Sequence, residues 1–414
     1  MIPDPAAFLR QLFDRAVEVA DPMRSLAGFL PEKPGGRVVV VGAGKASARM
    51  AEAVEAVWGP CEGLVITRYG YARPCRGIEI VEAAHPVPDA AGVAATARML
   101  ELLRGVGEDD FVLALISGGA SALLCAPVEG LSLAEKQAVN AALLASGAPI
   151  SAMNTVRKHL SRVKGGQLAA AAHPARMLAL MISDVPGDDP ALIGSGPTVG
   201  DASTPDEACA ILDRWQIALP PAAHAALGRS GVVPPGDARL SRVENVIYAA
   251  PAQSLAAAAE LAAPLAEVRS LGDRLEGEAR EVARDQARFA RDIAAGLRPG
   301  DRPVLLLSGG ELTVTRQGDG VGGPNAEFCL ALALALEGHP RIHALACDTD
   351  GVDGAAEVAG AVIGPDTLAT PGAAEALARN DAHGYFARAG AQVVTGPTLT
   401  NVNDFRAILI LPPA

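Results

Sequence analysis

The sequence is poor in aromatic residues, poor in lysine, without paired cysteines, and without any surplus of positive charge. Aromatics make up 3% of the 414 residues, so a core must be built mostly from Ala, Val, Leu and Ile. Against 47 Asp and Glu stand 35 Lys and Arg, a formal balance of -12 that opposes the phosphate contacts of a dedicated nucleic-acid binder. Six cysteines, at 61, 75, 125, 209, 329 and 347, form no Cys-x-x-Cys pair and stand near no His cluster. That pattern argues for reduced, mostly buried thiols in a cytoplasmic protein and against a zinc site or a disulfide framework. Asp4 and Arg10 interrupt the apolar character of the N-terminus, which therefore does not read as a signal peptide. The longest uncharged run, 111–128, is broken by Gly118, Gly119 and two serines, and reads as strand, turn and buried helix rather than as a membrane span.

The basic residues are 30 Arg and only 5 Lys, every Lys lying before residue 165. Under a coding bias toward Arg, the lysines that survive mark positions where a compact ammonium differs from a planar guanidinium. Lys45, Lys158 and Lys164 lie in Gly-rich or polar motifs. Lys33 and Lys136 lack such a context and read as solvent-exposed.

Short apolar runs alternate with helical patterns almost throughout. Runs at 37–41, 63–67, 78–83, 111–117 and 177–183 form one series of buried strands, and runs at 245–250, 266–271, 303–309, 342–347 and 406–411 form a second. Continuous rather than alternating hydrophobicity means that both faces are covered, as in a mainly parallel sheet between helix layers. The predicted fold is therefore α/β, with two three-layer domains. A Pro- and Gly-rich stretch at 218–244 reads as the linker, which places the domains at 1–236 and 237–414 with the cut near Gly236. Phe8, Leu9, Leu12, Phe13, Ala16 and Val17 share one helical face near the N-terminus.

The motifs fall at strand ends, where α/β sheets place their ligands. In VVVVGAGKASARMA, a strand, a Gly-x-Gly turn and a helix start bring backbone amides, a positive dipole end and Lys45 to one point beside Gly44. As a dinucleotide fingerprint it is incomplete, since Ser47 replaces the third Gly and the second strand ends in Arg68 rather than an acid. SGGASALL offers Ser117, Gly118, Gly119 and Ser121 to a phosphate or carboxylate, with a tight strand-to-helix turn as the plain alternative. NTVRKHLSRVKGG gathers Arg157, Lys158, Arg162 and Lys164 into a local basic patch, which could equally be a solvated helix face. SDVPGDD delivers Asp184, Asp188 and Asp189 from a buried strand, a position suited to deprotonating a hydroxyl or holding Mg²⁺.

The second half repeats the theme. Ser308, Gly309 and Gly310 precede Glu311, a Gly-rich loop leads into a helix that starts near Asn325, Asp348, Asp350 and Asp353 follow a strand, and Asn401, Asn403 and Asp404 precede the last one.

GAGKAS, HPVPD, SGGASALL, NTVRKHLSRVKGG, SDVPGDDP, IGSGPT, SGGE, DTDGVDG and TNVND, in this order from residue 4 to 411, resemble the type II glycerate kinases. These are glycerate 2-kinases with a C-terminal MOFRL domain, in older usage often labelled hydroxypyruvate reductases. The resemblance implies a glycerate kinase domain followed by a MOFRL domain, with the active site in the cleft between them, and ATP-dependent phosphorylation of D-glycerate at its 2-hydroxyl with ATP and Mg²⁺. It assigns Lys45, Asp184 and Asp188 to catalysis and Glu311 and Asp350 to the metal. Substrate or phosphate binding falls to Gly44, Ser117, Gly118, Gly119, Ser121, Arg157, Lys158, Lys164, Ser308, Gly309, Gly310, Asn325 and Asn403. Where many relatives read Gly-Gly-Arg-Asn-Gln-Glu, this chain has Gly322, Gly323, Pro324, Asn325, Ala326 and Glu327, so the family's arginine is absent: either Arg157 or Arg316 replaces it, or this branch differs in rate or substrate. The expected protein is a monomeric or homodimeric cytoplasmic enzyme. The rival readings are an NAD(P)H-dependent hydroxypyruvate reductase and a non-catalytic small-anion binder.

Overall fold

A computed structural model describes residues 2–414, which divide into two compact units, one spanning Pro22–Tyr248 and the other joining residues 2–21 to Ala249–Ala414. The first unit holds six strands: β1 (Val38–Ala43), β2 (Glu62–Arg68), β3 (Ile78–Ala83), β4 (Phe111–Ile116), β5 (Arg176–Ile182) and β6 (Val243–Ala249). They lie in the order β3-β2-β1-β4-β5-β6, with parallel pairing from β3 through to β5. β1 and β4 are buried along their whole length, as their unbroken apolar runs predict. The strand order reverses between β1 and β4, so a crevice opens beyond the carboxyl ends of those two strands.

Four helices of this unit, Leu133–Ala145, Ile150–His159, Pro205–Arg214 and Pro221–Leu227, share a separate apolar core that includes Val139, Leu143, Val156 and Leu212. Two of them start at capping boxes, Ser132 with Glu135 and Thr204 with Glu207, which fix where each helix begins.

In the second unit the strands are β7 (Glu267–Ser270), β8 (Gly277–Glu278), β9 (Val304–Ser308), β10 (Leu312–Thr313), β11 (Ile342–Asp348), β12 (Gly360–Ile363), β13 (Gln392–Val393) and β14 (Asp404–Ile410). β8 and β10 pair only with each other, and the rest form a sheet ordered β13-β12-β11-β14-β9-β7. Alternate residues face opposite layers. Leu306, Ala344 and Ile408 pack toward the helices Ala279–Gly296 and Pro324–Leu336, whereas Leu305, Leu345 and Leu409 pack toward Pro5–Ala20 and Pro251–Ala262.

Three expectations need correction. The second sheet is not mainly parallel: β7 and β9 run parallel, but β12–β13, β11–β12, β11–β14 and β9–β14 are antiparallel. Continuous hydrophobicity reports burial on both faces and carries no information on strand direction. The stretch 218–244 is not a linker either, because Ala223, Ala226 and Leu227 are buried in the helical core and the run at 245–250 joins the first sheet as β6. The units therefore part near Tyr248 rather than at Gly236.

The N-terminal helix, Pro5–Ala20, belongs with the second unit. Asp4 caps it by accepting the Ala7 N–H at 3.0 Å. Its apolar face is the predicted one, and the Phe13 ring lies 5.9 Å from that of Phe405. Ser254 Oγ donates to the Ala16 carbonyl at 2.7 Å. Among the described residues no helix is long and apolar enough to cross a membrane. Because Phe13 is fully buried in this contact, Phe13→Ala is expected to destabilise the protein by about 3–5 kcal/mol. A thermal melt in which the variant unfolds at the wild-type temperature would contradict the docking.

Candidate active site

The turns after β1 and β4 are joined by an approach that only glycine permits. Gly44 has a φ of 143°, and a Cβ added there would lie 2.0 Å from Ser117 Oγ and 2.6 Å from the Ser117 carbonyl oxygen. Around this contact Lys45 N–H donates to the Gly118 carbonyl at 2.8 Å and Ala46 N–H to Ser117 Oγ at 3.0 Å. Ser47 Oγ lies 3.1 Å from Ser117 Oγ and donates to the Leu115 carbonyl at 2.9 Å. The amides of the Gly-x-Gly turn are thus engaged within the protein rather than open to an anion, which also removes the geometry of a pyrophosphate cradle. Ser117 is buried and serves the same joint. The Lys45 side chain still marks the crevice. A Cβ at Gly119 would meet Lys45 Cγ at 3.2 Å and His85 Cδ2 at 3.1 Å, so these three residues share one corner.

Beside that corner lies a cavity of about 670 Å³, with His85, Gly119, Ser121, Lys136, Arg157 and Lys164 in its wall. Lys164 is 2% exposed, and its Nζ donates to the Ser121 carbonyl at 2.6 Å and to Ser121 Oγ at 3.2 Å. Burial, reinforced by the Lys136 charge, holds its pKa well below the ordinary lysine value. Lys136 is 4% exposed, and its Nζ has no hydrogen-bond partner. Burial, with help from the Arg157 charge, pulls it down to about 8. Burial also lowers the pKa of Arg157, whose Nη1 donates to Asn154 Oδ1 at 3.3 Å. Among the described residues none of these three cations forms an ion pair with a carboxylate.

Lys158, predicted to join this patch, does not. It makes a buried ion pair with Asp201, and the neighbouring His159 is held between Ser230 Oγ at 2.6 Å and Ser203 Oγ at 3.1 Å. Lys158 neighbours Arg157 on the helix Ile150–His159 and so points to a different face, while Lys164 lies beyond the helix end in the turn that follows. Lys136, read from sequence as exposed, takes its place. One signal marked it: Lys136, Val139 and Leu143 are spaced as one apolar stripe and are buried together.

The carboxylate loop follows β5. Asp184 is half-buried, and Asp188 sits at a φ of 53° with one carboxylate oxygen buried and unpartnered. Asp189 instead accepts the Ala191 N–H at 2.9 Å and shapes the turn. Further along, Ser195 Oγ lies 2.8 Å from Ser121 Oγ, and the carbonyls of Ser195 and Gly196 accept from Gly165 and Gly166 N–H at 3.1 and 2.8 Å. The segments SGGAS, VKGG and IGSG therefore meet at the cavity wall.

The sites expected in the second unit are largely consumed by its fold. Arg406, fully buried, donates to the carbonyls of Gly309 and Gly310 at 2.5 and 2.9 Å and to Asp404 at 3.0 Å, which locks the turn after Ser308. Burial raises the Asp404 carboxyl while Arg406 draws it back. Asn325 is also fully buried, giving Nδ2 to Asp404 at 2.7 Å while its N–H goes to Asp353 at 3.0 Å, so it holds the helix start, with its Oδ1 left without a partner. Pro324 is the first residue of that helix, where proline is favoured. Arg316 donates to the carbonyls of Gly318 and Gly320 within its own loop. Asn403, at a φ of 66°, accepts the Asp404 N–H at 2.8 Å. Glu311 is exposed, whereas Asp350 is buried and accepts the Val352 N–H at 2.8 Å. No group of three or more His, Cys, Asp or Glu that could hold a metal occurs among the described residues.

Residues 8–228 match the family model of a domain of unknown function, DUF4147, and residues 304–404 match the MOFRL family. A protein of Agrobacterium vitis, provisionally named a hydroxypyruvate reductase, is 50% identical over 97% of this chain and 94% of its own. The D-glycerate 2-kinase of Thermotoga maritima is 38% identical, with 97% of each chain covered. The crystal structure of a glycerate kinase from Thermotoga maritima superposes with a TM-score of 0.88 at 37% identity, covering 98% of this chain and 99% of that one.

The buried, unpartnered ammonium has a measurable cost. A lysine whose folded pKa, about 8, lies below its unfolded value of 10.5 penalises the folded state below pH 8 and ceases to do so above pH 10.5. Lys136→Met is therefore expected to stabilise the ligand-free protein by about 3 kcal/mol at pH 7, and the gain should fade as pH rises through that window. Equal denaturation midpoints for both proteins at pH 7 would contradict this.

Proposed function

Because the chain belongs to the glycerate kinase family with a MOFRL domain, we propose that it transfers the γ-phosphoryl group of ATP to the 2-hydroxyl of D-glycerate, releasing 2-phospho-D-glycerate and ADP. The observation that carries this reading is the juxtaposition, at the reversal point of the first sheet, of Lys45 with a cavity walled by Lys136, Arg157 and Lys164. Phosphoryl transfer asks the protein mainly for positioning and for neutralisation of charge. Lys45 supplies a point charge to the phosphoryl oxygens. Asp188, with one carboxylate oxygen lacking a partner in the protein, accepts the proton of the 2-hydroxyl as the new oxygen–phosphorus bond forms and the bond to ADP breaks. Asp184, on the same loop, orients the acceptor.

Mg²⁺ binds through one or two carboxylates together with substrate phosphates, so it needs no cage of protein ligands. Glu311, exposed, and Asp350, buried, are the carboxylates read from sequence as its ligands, and when bound it would supply charge neutralisation. The six free thiols, four of them buried, favour a reducing, cytoplasmic setting.

The test is direct. The purified protein with D-glycerate, ATP and Mg²⁺ is expected to form 2-phosphoglycerate. Consumption of NADH or NADPH with hydroxypyruvate, without a phosphorylated product, would overturn the proposal in favour of a reductase. Lys45→Ala is expected to lower kcat by roughly 100–1,000-fold at an unchanged unfolding temperature. Full activity in that variant would reject the role given to Lys45.

A further inference from the structure

Within the cavity of the first unit, the groups without partners are concentrated on one helix. Lys136 and Asn140 stand four residues apart on Leu133–Ala145 and so share a face. Both line the cavity, and each leaves a buried polar atom unsatisfied: Lys136 Nζ and Asn140 Oδ1. A protein that buries an ammonium ordinarily supplies it with an acceptor, because the unpaired group loses its hydration without return. Here no side chain does so. Arg157 and Lys164 add two further cations to the same wall. The acidic group among them, the Cys125 thiol, is pushed up by burial and stays neutral.

We infer that this cavity is the seat of the nucleoside triphosphate, with Lys136, Arg157 and Lys164 as ligands of its polyphosphate chain. The inference rests on the kinase reading and adds to it the location of the nucleotide and a ligand, Lys136, that the motifs do not mark. Charge favours the nucleotide over the acid. Three cations with no carboxylate partner match a polyphosphate, whereas a single carboxylate would leave most of that charge uncompensated. Size agrees, since about 670 Å³ lies within the range of sites that enclose drug-sized ligands and far exceeds a three-carbon acid. Chemistry agrees as well. Val87 and Leu144 give the cavity an apolar side suited to a purine, and Asn140 Oδ1 is an acceptor that a ribose hydroxyl would satisfy.

The experiment is calorimetric titration of the full-length protein with adenylyl imidodiphosphate and, separately, with D-glycerate. It uses the wild type, Lys136→Met and Arg157→Gln. Both variants are expected to weaken nucleotide binding by roughly 10–100-fold, the worth of a charge-assisted hydrogen bond to phosphate. Their affinity for D-glycerate should stay at the wild-type value. Inorganic tripolyphosphate is expected to compete with the nucleotide analogue in the wild type and to weaken in parallel in the variants. Variants that bind the analogue as tightly as the wild type, or that lose affinity for D-glycerate instead, would overturn the inference. Lys136→Met removes a buried charge and should melt higher than the wild type, so its loss of binding would not reflect unfolding. The two readings fail separately. A wild type that forms phosphoglycerate while its variants keep their nucleotide affinity sinks only this inference. A wild type that forms none sinks the kinase reading, whatever the titrations return.

Discussion

The approach of Gly44 to Ser117, possible only because Gly44 carries no side chain, fixes the corner of the first unit's site on which Lys45 stands. It draws the turn after β1 against the turn after β4 and directs three neighbouring donors inward, the Lys45 and Ala46 amides and the Ser47 hydroxyl. With its amide spent, Lys45 offers the crevice only its side chain, held where it meets Gly119 and His85. A turn that in other α/β proteins cradles phosphate with backbone amides has here become a rigid mount for one ammonium. In the proposed reading, phosphate recognition passes to the side chains of the adjoining cavity.

Those side chains carry a cost that the fold offsets only in part: Lys164 donates to Ser121 and Arg157 to Asn154, whereas Lys136 finds no acceptor. Lys136, Arg157 and Lys164 are each pulled down by burial, and for the two lysines the neighbouring positive charges add to the effect. Such an arrangement is unfavourable in the empty protein and favourable with a polyanion present, which is how a site separates ligand binding from mere surface attraction. The second unit shows the opposite treatment of buried charge. Arg406, Asp404, Asn325 and Asp353 are joined by hydrogen bonds that lock the turn after β9, although Arg406 Nε and Asn325 Oδ1 are left without partners.

Much of this was legible in the sequence, for reasons that differ by residue. The apolar runs within β1, β4, β5, β9 and β14 reported burial on both faces, and the N-terminal stripe from Phe8 to Ala16 reported its helix. Neither pattern reports a partner. The N-terminal helix docks on the second unit although it precedes the first, β6 closes the first sheet although its run reads like the second series, and strand direction in the second sheet leaves no trace in hydrophobicity. At the site, Gly44, Lys45, Gly119 and Lys164 stand in recognisable turns and Arg157 in the basic motif just before one. Lys158 looked identical to Lys164 by type and spacing, and only the contact with Asp201 separates them. Lys136 was hidden by the ordinary presumption that a charge on a helix is solvated, although its register with Val139 and Leu143 pointed inward.

The most direct measurement is a crystal structure of the protein with adenylyl imidodiphosphate. The polyphosphate is predicted to lie against Lys136, Arg157 and Lys164, with Lys136 Nζ within hydrogen-bonding distance of a phosphate oxygen and the γ-phosphate on the side of Lys45. A nucleotide bound with its phosphates away from these residues, and the cavity left to solvent, would contradict it.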